Sequence, residues 1–260
     1  MDSRTTGALL GMIAGDAYVS VRQKTKSGKY PYTSSEMRVV HGSQQRAYCE
    51  FKCDLANRLL NRNSTVRRGK NGPGRRYDAY SFSVSHPYFK VLHRWCYPYG
   101  KKTFNQVWLD HITPEGIALW YMDGGHARRN INTKGRVSSV ATSIATCCTD
   151  AEADLICKWF SDVHKIRFTT FPEGGGRSLR ANTENSRLFA HLVQPYVIEP
   201  MLYKLTHVAD LNSHECRAPV ASCASPDCQN PIFDLRRKGL CSACYSRRYY
   251  RQVRKKRVMR

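Results

Sequence analysis

The chain has 260 residues, enough for one large or two small domains, and sets 42 Lys+Arg against 20 Asp+Glu, a net charge of +22. An excess this large points to a polyanionic partner, nucleic acid above all. No apolar run reaches the roughly 18 residues of a membrane-crossing helix, and Met1-Asp2-Ser3-Arg4 opens no secretory signal, so the expectation is an intracellular protein, not secreted, without a membrane partner, whose thiols stay reduced.

The first predicted helix starts near Thr5 or Thr6, either of which can cap it, and runs Gly7-Ala8-Leu9-Leu10-Gly11-Met12-Ile13-Ala14-Gly15 to Asp16. Gly7, Gly11 and Gly15 lie four apart on one face. Each glycine costs about 1 kcal/mol in a helix interior, so a stripe of three calls for close approach by another backbone. Alternation then predicts strands over 17–22, 29–33 and 37–41. Basic and aromatic residues interleave here: Arg22, Lys24, Lys26, Lys29, Tyr30, Tyr32 and Arg38. A twisted antiparallel sheet with such a face suits a DNA major groove. Residues 44–62 read as a helix with Tyr48, Phe51, Leu55, Leu59 and Leu60 on one side. A strand over 75–85 opens with Arg75 and Arg76; a helix over 86–95 and the lysine of Gly100-Lys101-Lys102 follow.

The same order then repeats. Gly116-Ile117-Ala118-Leu119-Trp120-Tyr121-Met122 is again a small, apolar helix that ends at an acid, Asp123. Arg128, Arg129, Lys134 and Arg136 come next, then a strand over 137–146, a helix over 150–163, strands over 166–171 and 178–182, and a helix over 185–193. An exposed lysine closes this half too, in Leu202-Tyr203-Lys204. Asp16 and Lys102 are 86 residues apart, Asp123 and Lys204 81. A repeat that keeps acid and lysine at like separations predicts a two-fold pseudo-symmetric monomer. Two closely packed helices that each deliver a carboxylate to a shared point suit metal-assisted hydrolysis of a phosphate backbone, with Mg²⁺ on the acids and a lysine against the developing charge.

Trp120-Tyr121-Met122-Asp123-Gly124, preceded by Leu109 and Thr113-Pro114-Glu115-Gly116, resembles one branch of the LAGLIDADG homing endonucleases. Ser85-His86-Pro87, Gly100-Lys101-Lys102 and Pro200-Met201-Leu202-Tyr203-Lys204 resemble it as well, and the similarity covers roughly residues 5–207. The resemblance implies an α+β fold of two αββαββα halves, with the motif helices at the interface and the sheets saddled on double-stranded DNA. It implies Mg²⁺-dependent cleavage of both strands across the minor groove at a long target site. By the same resemblance Asp16 takes the position of the first metal-binding acid, and Lys102 and Lys204 those of active-site lysines. The second acid is expected at 124, which is Gly124, with Asp123 one residue early. One residue turns a side chain by about 100° on a helix. Gly124 and Gly125 are expected to let the helix end unwind and bring Asp123 into place as the second catalytic, Mg²⁺-binding acid. A chain in which they do not would nick one strand or bind without cutting.

The last fifth of the chain is rich in cysteine and basic residues. Cys223-x4-Cys228 is followed after twelve residues by Cys241-x2-Cys244, a spacing suited to tetrahedral structural Zn²⁺, with His214 and Cys216 as competing ligands. Beyond it Arg247, Arg248, Arg251 and their basic neighbours, interleaved with Tyr245, Tyr249 and Tyr250, read as a DNA-phosphate grip. The expected division is 1–112 and 113–210 as the two halves and 211–260 as the zinc-bound tail. Met1 and Arg260 are not splice-junction residues, which favours a free-standing or intron-encoded protein over an intein. The alternative function on the same scaffold is a nickase, an intron maturase with intron RNA as partner, or a nucleic-acid-binding regulator.

Overall fold

Asp2, not Thr5 or Thr6, caps the first helix: its carboxylate accepts the backbone N–H of Thr5 at 2.7 Å. In the computed structural model, which describes residues 1–22, 34–71, 77–131 and 137–208 with 221–222, 228 and 231–232, helix α1 (Ser3–Ala14) stops at Gly15. Its counterpart α5 (Pro114–Gly124) carries stronger start signals: Thr113 accepts the Gly116 N–H, Pro114 occupies the first turn, and Glu115 faces the helix dipole. The two helices are buried along nearly their whole length and pack on each other through glycine. A Cβ on Gly11 would lie 2.0 Å from the carbonyl oxygen of Gly116, and one on Gly116 would lie 2.1 Å from that of Gly7. Backbone thus touches backbone at Gly11, as the sequence reading required, whereas Gly7 makes room for Thr113 and Gly15 for the side chain of Asp123.

Each motif helix leads into a four-stranded antiparallel sheet. The first comprises β1 (Tyr18–Arg22), β2 (Ser34–Gly42), β3 (Arg67–Asn71) and β4 (Tyr77–Ser85) in the order β1-β2-β4-β3. The second comprises β5 (Gly125–Ile131), β6 (Val137–Cys148), β7 (Phe168–Glu173) and β8 (Gly176–Ala181) in the order β5-β6-β8-β7. Alternation sets the inner faces: Met37, Val39 and His41 point inward from β2, and Phe82 and Val84 from β4. Helices α2 (Arg46–Leu60) and α3 (Phe89–Cys96) cover the first sheet, and α6 (Asp150–His164) and α7 (Thr183–Val193) the second. Thr149 and Glu152 form a reciprocal capping box at the start of α6. The plan is thus αββαββα twice, with α4 (Gln106–His111) inserted between the halves. An aromatic cluster of Phe104, Trp108, Trp120 and Phe160 fills the core beside α5.

Three of these elements, β3, β5 (Gly125–Ile131) and α4, have no counterpart in the sequence reading. β3 is Arg-Arg-Gly-Lys-Asn, without one apolar residue, and exists because the edge of β4 offers it hydrogen bonds. α4 buries only Trp108 and Leu109. The strand expected over 29–33 lies outside the described residues. The chain divides into two compact units, Met1–Ala209, which holds both halves, and Asp210–Arg260, in which Ala221–Ser222 pairs antiparallel with Pro231–Ile232.

Candidate active site

The expected unwinding of α5 does not occur. The helix continues through Gly124, and a Cβ there would face the backbone of Ala145 in β6 at 3.0 Å. Asp123 reaches its place by another route. Its side chain leans over Gly15, where a Cβ would come within 1.9 Å of Oδ2, and so crosses into the first half. There Oδ2 accepts the backbone N–H of Asp16 at 2.9 Å. Both carboxylate oxygens accept from the ammonium of Lys52 in α2, at 2.5 and 2.6 Å. Glycine supplies the gap, and the buried cation supplies the pull.

Asp16 differs from Asp123 in exposure. Its side chain is 53% exposed, whereas that of Asp123 is fully buried. His41, inward at the end of β2, stands between them, with Nδ1 3.8 Å from Asp16 Oδ2 and Nε2 3.8 Å from Asp123 Oδ1. One ligand atom from each of Asp16, His41 and Asp123 lies within 4.8 Å of the others, the one such group of donors among the described residues. Burial, and then the nearby Lys52 ammonium, push the His41 ring down to about 4, so the imidazole is neutral. Lys52 Nζ at 3.3 Å from Nε2 and Gln45 Oε1 at 3.2 Å from Nδ1 together set the tautomer: Nε2 accepts and Nδ1–H donates. Burial, and then the Asp123 charge, raise the Asp16 carboxyl from its ordinary value.

The two lysines occupy equivalent places at the helix ends. Lys102 Nζ donates to the carbonyls of Ile13 and Gly15, each at 2.8 Å, at the C-terminal end of α1. Lys204 Nζ donates to the Asp123 carbonyl at 2.8 Å, at the end of α5. A helix C-terminus favours a cation, and these ammonium groups satisfy carbonyls that the helix leaves open. Burial lowers both lysines, against the opposing pull of Asp16 and Asp123. Lys204 is buried rather than exposed as expected, because the Glu199–Lys204 turn tucks it under α5 and Tyr121 Oη donates to its carbonyl at 2.7 Å.

Of the residues expected on DNA, Arg38 is exposed on the sheet face away from the helices, in register with Tyr18 and Ser83. Arg22 lies on that face too and pairs with Glu36 at 3.1 Å. Arg128 and Arg129 are both exposed but alternate, so they leave β5 on opposite faces. The sequence reading missed Arg67, which with Arg38, Ser81 and Ser83 lines a polar hollow of about 460 Å³. Lys24, Lys26, Lys29, Tyr30, Arg75, Arg76, Arg136, Arg247, Arg248, Arg251, Cys223, Cys241 and Cys244 lie outside the described residues; Cys228 is half-buried. His41 and Lys52 were also missed. Both carried a signal: His41 holds the inward position after Met37 and Val39, and Lys52 follows Tyr48 by four on the buried side of α2.

The family model for the LAGLIDADG DNA endonuclease family matches residues 6–189, which includes both motif helices and both sheets. The chain belongs to the LAGLIDADG DNA endonuclease family. Curated relatives of this LAGLIDADG protein are proteins named RecA, from Mycobacterium shimoidei (28% identical over 204 residues, 76% of this chain and 45% of the relative) and from Mycobacterium gastri (27% over 206 residues, 76% and 46%). The chain thus spans less than half the length of these relatives. Among solved structures it is similar to the homing endonuclease I-WcaI bound to its DNA recognition sequence, with a TM-score of 0.61, 17% identity, and coverage of 78% of this chain and 86% of that one. The meganuclease I-SmaMI bound to uncleavable DNA follows with a TM-score of 0.52, 11% identity and coverage of 82% and 92%. At these identities the likeness establishes the fold, two LAGLIDADG halves joined in one chain.

Proposed function

We propose that the protein is a site-specific DNA endonuclease that hydrolyses phosphodiester bonds with a divalent metal, Mg²⁺, and makes a double-strand break as a monomer. The observation that carries this reading is the convergence of Asp16, Asp123 and His41 at the foot of two glycine-packed helices, with a lysine at each helix end. Mg²⁺ favours one or two carboxylates, with water and substrate phosphate completing its sphere, and the half-exposed Asp16 suits that donor set. When bound, the metal would activate water and neutralise the leaving oxygen. The chain's own groups do the rest. Asp123 holds the Asp16 main chain in place, and Lys102 and Lys204 present ammonium charge where the phosphate becomes more negative. Membership of the family and its DNA-bound structural relatives support double-stranded DNA as the partner. Arg22, Arg38 and Arg128, together with Lys24, Lys26, Lys29, Tyr30, Arg75, Arg76 and Arg136, are proposed to line the sheet surfaces that receive it, whereas Arg129 leaves β5 on the other face.

In the second unit Cys223, Cys228, Cys241 and Cys244 are proposed to hold structural Zn²⁺. The short strand pair supports this, since Ala221–Ser222 and Pro231–Ile232 bracket Cys223 and Cys228. Arg247, Arg248 and Arg251 would then grip phosphates.

One observation favours a second reading, a nicking enzyme: Gly124 replaces the second acid, and the oxygens of Asp123 are engaged by Lys52. A supercoiled plasmid carrying the uninterrupted insertion locus decides between them with purified protein and Mg²⁺. Linear product establishes cleavage of both strands. Nicked product that never becomes linear establishes the nickase. Specific retention of the DNA without any cut would overturn both in favour of a maturase or regulator.

A further inference from the structure

A lysine loses much rotamer freedom when buried, and its three donors then need partners inside the protein. Lys52 is fully buried, as is the Asp123 side chain. Its ammonium donates to both oxygens of Asp123 and to Nε2 of His41, and sits 4.6 Å from the centre of the Tyr48 ring. The cation comes from the first half of the molecule and the carboxylate from the second. Among the described residues the reverse arrangement is absent: the buried face of α6, the counterpart of α2, is Ala153, Ile156, Trp159 and Phe160. This asymmetry coincides with the other one in the chain, an acid after α1 at Asp16 and glycine in its place at Gly124.

We propose that Lys52 is a positioning residue that aims the second-motif acid: its ammonium draws the Asp123 carboxylate across the helix pair onto the amide of Asp16 and so compensates for the glycine at 124. A side chain at 123 leaves the helix about 100° away from one at 124. Because α5 stays helical through Gly124, the correction cannot come from its backbone. It comes from the side chain, for which Gly15 leaves the path open and Lys52 is the destination. The bond to the Asp16 N–H then fixes the main chain from which the exposed Asp16 carboxylate projects. Lys52 therefore acts on the two acids chiefly through Asp123, to which it gives both of its shortest bonds, beside a longer contact with His41. This inference rests on the reading of Asp123 as a functional acid.

A double-mutant cycle in the full-length protein tests it, with Lys52→Met, Asp123→Asn and the pair, read as single-turnover cleavage of each end-labelled strand and as target-DNA affinity without divalent metal. Lys52→Met is expected to slow cleavage by about 10- to 100-fold, the scale of losing an orienting partner, while affinity changes little. The double variant is expected to be little slower than Asp123→Asn, because the lysine works chiefly through that acid. Losses that multiply, or a folded Lys52→Met protein that cuts at the native rate while Asp123→Asn is impaired, overturn the role of Lys52 and leave that of Asp123 intact. A native rate for Asp123→Asn overturns both. If Lys52→Met does not fold, the double variant, which buries no unpaired charge, carries the comparison with Asp123→Asn: nearly equal rates support the proposal, and a large further drop overturns it.

Discussion

Asp16 and Asp123 stand only one hydrogen bond apart yet face opposite demands, one half-exposed and the other sealed in protein. Asp16→Asn is therefore expected to lower the cleavage rate by about 100-fold or more, the scale on which directly acting polar groups are lost, while DNA affinity in the absence of metal barely changes. Persistent Mg²⁺-dependent cutting in that variant would place the metal elsewhere. His41 carries a different prediction, one about acid. Its folded value is near 4 against 6.5 when free, so the unfolded chain takes up a proton first as the pH falls. The sign follows: the neutral ring's contribution is complete above pH 6.5 and is lost as the pH falls towards 4, by about 3 kcal/mol. The raised carboxyl of Asp16 works in the opposite sense at the acid end, so the comparison has to be with His41→Gln. Urea unfolding of the two proteins in chelator at pH 7 and pH 5 should show the native protein losing more stability; parallel losses would mean that the ring is not held neutral.

The motif helices show how a local rule becomes a long-range one. Gly116 faces the carbonyl of Gly7, which cannot swing aside as a side chain would. Gly116→Ala is expected to force α1 and α5 apart and cost about 1–3 kcal/mol in urea unfolding, despite the better helix propensity of alanine. A stabilised variant would show that the helices can separate freely. Both helices and their glycine stripe were legible from sequence because glycines at a spacing of four weaken a helix unless a second backbone lies against them. The alternating strands were legible through period two, as in Met37, Val39 and His41. β3 was not, since Arg67–Asn71 carries no apolar signal and is a strand only by virtue of its neighbour. The Lys52–Asp123 contact lay further out of reach. A lysine on the buried side of α2 can be noticed in a sequence, but its partner 71 residues away is set by how two halves dock. Asp123 escaped the expectation of an unwound helix end for the same reason: its place depends on the open space over Gly15 and not on the backbone of α5 alone.

At the scale of the whole molecule, charge is the dominant quantity. Residues 210–260 contain 12 of the 42 basic and four of the 20 acidic residues. If about eight phosphate contacts leave with this segment, its removal should flatten the plot of log affinity against log salt by roughly 7 units. An unchanged slope would mean that the segment does not touch DNA. Zinc analysis of the full-length protein before and after chelation checks the metal reading of the same segment, with loss of about one equivalent expected.

The buried pair also dictates which halves can be partners. Two copies of the second half, docked through α5, would bring two Asp123 carboxylates together with no lysine to receive them, since α6 offers only apolar side chains there. Two copies of the first half would seal two Lys52 ammonium groups away from any such acid. An uncompensated buried charge costs several kcal/mol, so each half rejects its own kind and accepts the other. Fusion into one chain is then more than a tether: the freedom to work as a symmetric pair has been exchanged for a lock that only unlike halves can close.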